Sequence, residues 1–197
     1  MDHANANQYV DNYFNSLRML KVSEESIAVL RKHYKMIQVK SKQTIINPGE
    51  ICKHAYLIVK GGFVCRYIHE TSGAANTINF YLEDLHPVMA CVDSYFNQRP
   101  TNCELRAIKD SIVIAIARSV LLSLIPKDIH FTEFYYTVIT NAMFEENEVK
   151  TKLIAYSSKE KYDYILKEMP SVVRNAPSKY IAEFCGISAA WLSKLKK

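Results

Sequence analysis

Three rhythms of apolar and polar residues succeed one another along this chain. The first 39 residues read as helical: in SEESIAVLRKHYKMI the apolar positions Ile27, Leu30 and Tyr34 recur at three- and four-residue steps. Ser23 is the expected cap there, with acidic residues in the turn that follows. From about Val39 the pattern shortens to β-rich runs, QTII, AYLIVK, FVCRYIHE, NTINFYL, CELRAI and SIVIAIA. Turn-forming stretches separate them: NPGE, KGG, ETSG and the residues around NQRPTN. Short strands at such regular spacing predict a small sandwich or barrel. After Pro126 the helical rhythm returns. Asp128 to Tyr156 contains neither Gly nor Pro, and a helix of that size exceeds roughly 40 Å at about 1.5 Å per residue. Its apolar stripe is Phe131, Tyr135, Val138, Ala142, Val149 and Tyr156, interrupted by Glu145 and Lys152. One small barrel cannot cover that length, so part of it is expected to meet another chain. Glu146 with Lys150 and Glu148 with Lys152 stand in the favourable i,i+4 order. A further helix, SSKEKYDYILKEM, is expected to stop before Pro170, with SVVRNAP as a connector.

The closing stretch, SKYIAEFCGISAAWLSKLKK, holds two helical patterns split by Gly186. Neither is long enough to persist alone, because isolated helices below about 12–15 residues are marginal in water. Together they make sense as a hairpin. Lys179 to Cys185 forms the first helix, Gly186 supplies a left-handed turn, and Ser188 caps the second. Ala182, Gly186 and Leu192 allow a close, steep crossing, with Ile181, Cys185, Ile187 and Leu195 as apolar contacts, which is the packing of a helix-turn-helix. The second helix then presents Ala189, Ala190, Trp191, Ser193, Lys194 and Lys197. In a major groove, Lys194 reaches a guanine edge or a phosphate, and Ser193 a base or backbone atom. Lys179, and the N–H groups that open the helices at Ser178 and Ser188, suit phosphates.

Charge sharpens this reading. The chain carries a net +5. From Ser158 onward eight Lys or Arg face four Asp or Glu, so most of the excess lies in the hairpin region, as a polyanion partner requires. Apolar residues make up 49% and charged ones 23% of the 197, which excludes a disordered chain. The most apolar run, SIVIAIARSVLLSLI, carries Arg118 and is too short to span a bilayer, and no secretion signal opens the chain, so no membrane and a cytoplasmic location are expected. The five cysteines, at 52, 65, 91, 103 and 185, are odd in number and include no CxxC. They predict buried free thiols acting as small apolar residues, with no disulfide framework and no local metal site. The histidines read as isolated surface residues. His69 and Glu70 are adjacent on a strand and point to opposite faces, and there is no HxH, so neither a metal centre nor a barrel enzyme is expected. No GxGxxG or GxxxxGK[ST] is present.

With "INPGE", "AYLIVKGGFVCRY", "ELRAIKDSIVIAI" and "KYIAEFCGISAAWLSKLKK", the chain from about residue 23 to 197 resembles the Crp/Fnr family of bacterial transcription regulators. The resemblance implies an α+β fold in three parts. An N-terminal jelly-roll (double-stranded β-helix) barrel of the cyclic-nucleotide-binding type, with its leading helices, occupies 1–126. A dimerisation helix occupies 127–157, and a small helix-turn-helix DNA-binding domain 158–197. It implies a homodimer joined through 128–156, double-stranded DNA as partner, and a regulator that recruits or blocks RNA polymerase. The departures carry equal weight. The family's ribose-holding Gly-Glu pair falls near Ala90 and Cys91, and its phosphate-holding Arg-Ser pair near Thr101 and Asn102. Neither replacement can do that work, so tight cyclic-AMP binding is not expected. Another small effector near Asp93, Ser94, Arg99, Thr101 and Asn102 is possible, or none, and Asp93 and Ser94 serve equally well as a helix cap. There are no N-terminal cysteines for an iron–sulfur cluster and no histidine constellation for haem. Ala190 and Lys194 stand where the family commonly reads bases with Glu and Arg, so base specificity should differ. Lys197 follows the second helix at once, so a wing is expected elsewhere or not at all. The competing expectation is a ligand-sensing or protein-interaction module that has lost DNA contact, with Trp191 on a protein-binding face.

Overall fold

The computed structural model describes residues 3–195. Two helices, α1 (His3–Met19) and α2 (Glu24–His33), precede strands β1 (Lys35–Val39), β2 (Thr44–Ile46), β3 (His54–Lys60), β4 (Gly62–Ile68), β5 (Ala75–Leu82) and β6 (Val88–Met89). A short helix α3 (Val92–Asn97) interrupts the sheets before β7 (Cys103–Ala107) and β8 (Ser111–Ala117). Helices α4 (Arg118–Leu124), α5 (Ile129–Ala155), α6 (Ser158–Glu168), α7 (Pro170–Asn175), α8 (Ser178–Cys185) and α9 (Ala189–Leu195) follow. The strands form two antiparallel four-stranded sheets, ordered β1-β8-β3-β6 and β2-β7-β4-β5. Tyr56, Phe63, Leu105 and Val113 are among the side chains packed between them. This is the α+β, two-sheet barrel architecture expected.

Each sheet needs its outer face covered, because its outward apolar residues would otherwise stay in water; each fully buried Phe, Leu or Ile contributes about 1.5–3 kcal/mol. The first sheet is covered by α1, α2, α4 and the start of α5, through Phe14, Leu17, Leu30, Leu121 and Phe131 against Ile112, Ile114 and Ile116. The second is covered by the C-terminal helices: Val64, Phe80, Leu82 and Ile108 share one apolar cluster with Ile165, Val172, Ile181, Phe184 and Leu192. Gly61 makes a close approach possible. Its φ is +107°, and an added Cβ would lie 2.1 Å from Ser111 Oγ and 2.7 Å from Ser111 Cα.

Ser23 caps α2 as expected, accepting from Ser26 N. The chain between Lys35 and Val39, expected to be helical, is instead strand β1. Helix α2 ends where Tyr34 becomes extended (φ −71°, ψ 151°), and the next residues pair along the buried strand β8, Ile37 opposite Val113. The SVVRNAP connector is also corrected, for most of it is helix α7. Pro170 occupies its first turn, where a missing N–H and a fixed φ suit a helix start, and Val172 is driven into the core.

Helix α5 has the expected extent. The stripe through Phe131, Tyr135, Val138, Ala142 and Val149 is the side that turns to the barrel. Tyr136, Met143 (64% exposed), Phe144 (73%) and Ile154 stay exposed along the helix, with Met143 and Ile154 lining a cavity between α5 and the barrel. Glu145, which interrupts the stripe, is held by the barrel: His86 Nδ1 lies 2.7 Å from Glu145 Oε2. His86 is thus not an isolated surface residue. Neither expected i,i+4 ion pair is formed among the described residues. Glu146 accepts from Asn79 Nδ2 at 3.1 Å, and the Lys152 ammonium lies 5.4 Å from the Tyr156 ring centroid. At the start of α5, Asp128 accepts from Phe131 N (3.0 Å), Ser23 N (2.9 Å) and Ser23 Oγ (2.7 Å), joining the helix to α2. Burial opposes its charge, but those donors and Ser26 outweigh it and hold the carboxyl far below the usual range.

Candidate functional site

The terminal hairpin is built as its residues require. Helix α8 ends at Gly186, whose left-handed geometry (φ 67°, ψ 34°) turns the chain and lets Ile187 N reach Ala182 O at 3.0 Å. Ser188 Oγ accepts from Trp191 N at 3.1 Å and starts α9. Ile181, Ala182, Cys185 and Leu192 are buried between the helices and the barrel. Ser178, Lys179, Ser188, Ala189, Ala190, Trp191, Ser193 and Lys194 are each exposed. Lys194 Nζ lies 5.8 Å from the Trp191 ring centroid, and Lys179 Nζ 3.8 Å from Glu183. Lys197 lies outside the described residues. Among those described, no strand follows Ala117.

An ionic contact missed in the sequence fixes the hairpin to the barrel. Arg66, on β4 and only 7% exposed, donates through Nε and Nη2 to Glu183 of α8 at 3.2 and 3.1 Å. Its Nη1 donates to Glu104 of β7 at 2.9 Å. Thr77 Oγ1 donates to the same Glu183 carboxylate at 2.8 Å, and the Tyr180 ring packs 5.2 Å from the guanidinium carbon. Burial disfavours the Arg66 charge, but the two carboxylates more than offset it and raise its pKa. The signal in the sequence was an arginine inside an otherwise apolar strand and a glutamate beside the buried positions of α8.

The second part of the site is a cavity of about 780 Å³ between β5, the loop before α3, the second half of α5, and Phe184 of α8. Ala90, Cys91 and Thr101 line it. These are three of the four positions at which the family resemblance places the nucleotide-holding residues. Asp93 and Thr101 reach the cavity; Ser94, Arg99 and Asn102 do not. Arg99 instead grips Asp93 with two 2.8 Å hydrogen bonds on the exposed surface. Buried Ser94 donates to Arg99 O and accepts from Cys52 N at 2.9 Å. Asn102 Nδ2 donates to Glu70 at 2.6 Å, and Thr101 Oγ1 accepts from Cys103 N at 3.0 Å. The lining is chiefly apolar, with Lys150 its lysine and no arginine. A smaller cavity of about 370 Å³ adjoins it between the first sheet and α5. Among the described residues, no group of three or more His, Cys, Asp or Glu is placed to hold a metal ion.

No protein-family model and no curated protein matches this chain. Solved structures do match. FixK2 from Bradyrhizobium japonicum aligns with a TM-score of 0.70 and 15% identity, covering 83% of this chain and 82% of its own. A Crp/Fnr-family transcriptional regulator structure from Eubacterium rectale aligns with a TM-score of 0.69 and 12% identity over 89% and 82%. A cyclic nucleotide-binding domain containing protein from Listeria monocytogenes EGD-e gives 0.66 and 17% over 95% and 88%. At these identities the likeness is one of fold. The chain has the fold of the Crp/Fnr transcription regulators and cyclic nucleotide-binding proteins. No helix among its described residues is long and apolar enough to cross a membrane.

Proposed function

We propose that this protein is a homodimeric, DNA-binding transcription regulator of the Crp/Fnr type, not an enzyme, working in the cytoplasm, whose barrel does not respond to cyclic AMP. One observation carries the reading. The hairpin buries Ile181 and Leu192 and leaves Lys179, Ser188, Trp191, Ser193 and Lys194 exposed. Lys179 and Lys194 give the hairpin positive charge for the phosphate backbone, and a helix of this width fits a major groove. The functional parts are the barrel (1–126), the linking helix (127–157) and the DNA-binding segment (158–197). Two chains join along α5, whose apolar residues Tyr136, Met143, Phe144 and Ile154 stay exposed in the single chain. Bound to DNA, the dimer recruits or blocks RNA polymerase.

The cavity supports an effector other than cyclic AMP. Its barrel wall offers alanine, cysteine and threonine at Ala90, Cys91 and Thr101, so no side chain there neutralises a nucleotide phosphate. Proteins of the same fold are described with different small molecules, the c-di-GMP-responsive regulator CLP and CprK complexed with OCPA. A mobility-shift assay against the region upstream of its own coding sequence tests the DNA reading. Binding at low salt, weakened by Lys194→Ala and Lys179→Ala, is expected. No binding at low salt, with both variants silent, contradicts it. A stable protein partner captured through Trp191 with DNA binding undetectable would favour an interaction module instead.

A further inference from the structure

The smaller cavity, of about 370 Å³ between the first sheet and α5, falls in the range of about 300–1,000 Å³ usual for small-molecule sites. Leu57, Ile116, Leu121, Phe134 and Val138 give it apolar walls. It reaches solvent past Val88 and Val92, which also line it and are exposed. Cys91 and Thr101, which line the larger cavity, do not line this one. Three buried side-chain polar atoms among the described residues have no hydrogen-bond partner: Tyr95 Oη, Tyr135 Oη and Arg118 Nε. They belong to one locality. Tyr95, only 3% exposed, and Tyr135 both line this cavity. The Arg118 guanidinium carbon lies 6.0 Å from the Tyr95 ring centroid. Its Nη2 donates at 3.3 Å to the backbone oxygen of Phe96, another lining residue, and Arg118 has no ion-pair partner among the described residues. The carboxylates of the cavity, by contrast, are already held, Glu145 by His86 at 2.7 Å and Glu146 by Asn79 at 3.1 Å. Buried donors without a partner are costly, so three in one place call for an acceptor from outside the chain.

We propose that this cavity binds a small, largely apolar carboxylic acid, whose carboxylate accepts from the Tyr95 and Tyr135 hydroxyls while its hydrocarbon body lies against the apolar walls. This goes beyond the DNA-binding reading and does not depend on it. Burial, with Tyr135 as a neighbour, raises the Tyr95 pKa, so its hydroxyl keeps its proton and meets a ligand as a donor. Arg118 beside Tyr95 brings an unpaired positive charge, which favours a carboxylate over a neutral acceptor. The apolar walls supply area, and the few polar groups choose the head group and fix its orientation. Phe134, Tyr135 and Val138 stand on α5, and Leu57 and Ile116 on the barrel. The bound acid therefore touches the barrel and the long helix at once.

The full-length protein is titrated with 3-phenylpropanoate, and separately with neutral 3-phenylpropanamide, by isothermal calorimetry. The wild type should bind the acid saturably and more tightly than the amide. Tyr95→Phe and Tyr135→Phe should each weaken the acid about tenfold, the effect of losing one hydrogen bond to a charged group. Arg118→Gln should remove the acid's advantage over the amide. Lys150→Ala, which touches the larger cavity alone, should leave the affinity unchanged. Neither phenylalanine variant should lower the thermal midpoint of the unliganded protein, because neither hydroxyl has a protein partner to lose. Absence of saturable binding at millimolar acid, equal affinity for acid and amide, or unchanged affinity in both phenylalanine variants would overturn the assignment. So would a lowered midpoint in those variants, which would make the hydroxyls structural, or a loss confined to Lys150→Ala, which would put the acid in the larger cavity.

Discussion

Removing the Arg66 guanidinium should detach the hairpin from the barrel, and its magnitude follows from the contacts. Arg66 is bracketed by two carboxylates, Glu183 and Glu104, with hydrogen bonds of 2.9 to 3.2 Å. The Glu183 side chain is 15% exposed and that of Glu104 13%. In Arg66→Ala both acids remain in a poorly solvated site without their cation, and breaking a buried pair in this way costs about 3–5 kcal/mol. Glu183→Gln is gentler. The amide can still accept from Thr77, and Arg66 retains Glu104, so the loss is nearer the about 1–3 kcal/mol of an impaired buried hydrogen bond. Urea unfolding followed by circular dichroism measures both. If the hairpin shares the barrel's cooperative unit, Arg66→Ala lowers the midpoint with little change in m. If the hairpin alone detaches, limited proteolysis should cut first near the α7–α8 junction. The double variant Arg66→Met/Glu183→Met should lose less than the sum of the single losses, because each single variant leaves a charge unpaired. An Arg66→Ala protein within about 0.5 kcal/mol of wild type, the range of ordinary surface changes, with unchanged proteolysis, would refute the reasoning.

Three further outcomes are expected. If two chains join along α5 as proposed, Phe144→Glu with Met143→Glu should run as a monomer and the wild type as a dimer in light scattering coupled to size exclusion, with the far-ultraviolet spectrum unchanged. Asp128 has a depressed carboxyl pKa in the folded state, so its stabilisation is present above the unfolded value near pH 4 and lost as pH falls through the lower folded value. Denaturation midpoints of wild type and Asp128→Asn should therefore differ most above about pH 4 and converge on acidification. Gly186→Ala meets no atom within 4 Å, so it should cost only the about 1–2 kcal/mol of a left-handed backbone. Gly61→Ala, which must also displace Ser111, should cost more and lower the thermal midpoint further.

What could be read from the sequence were features written locally. The β-runs declared themselves by short period and turn residues, and the hairpin by Gly186 and Ser188. Strand β1 did not, since Lys35–Val39 follows a helix directly and is extended only because β8 pairs with it. The long helix was legible as a helix, but periodicity shows which residues share a face, not what covers that face. The barrel side covers the start of the stripe, at Phe131 and Tyr135, whereas Tyr136 and Phe144 beside it stay exposed. The cavity positions 90, 91 and 101 followed from the family resemblance. The Arg66–Glu183 contact joins residues 117 apart, so it leaves no local spacing to detect.

Hydroxyl-radical footprinting on the DNA that the protein selects tests the central claim most directly. The account predicts two protected patches on one face of the duplex, one helical turn or about 34 Å apart, from two chains per duplex. It also predicts that Lys194→Ala reduces the slope of log affinity against log salt by about 1. A single patch from one chain, or no protection at salt low enough to favour phosphate contacts, would contradict it.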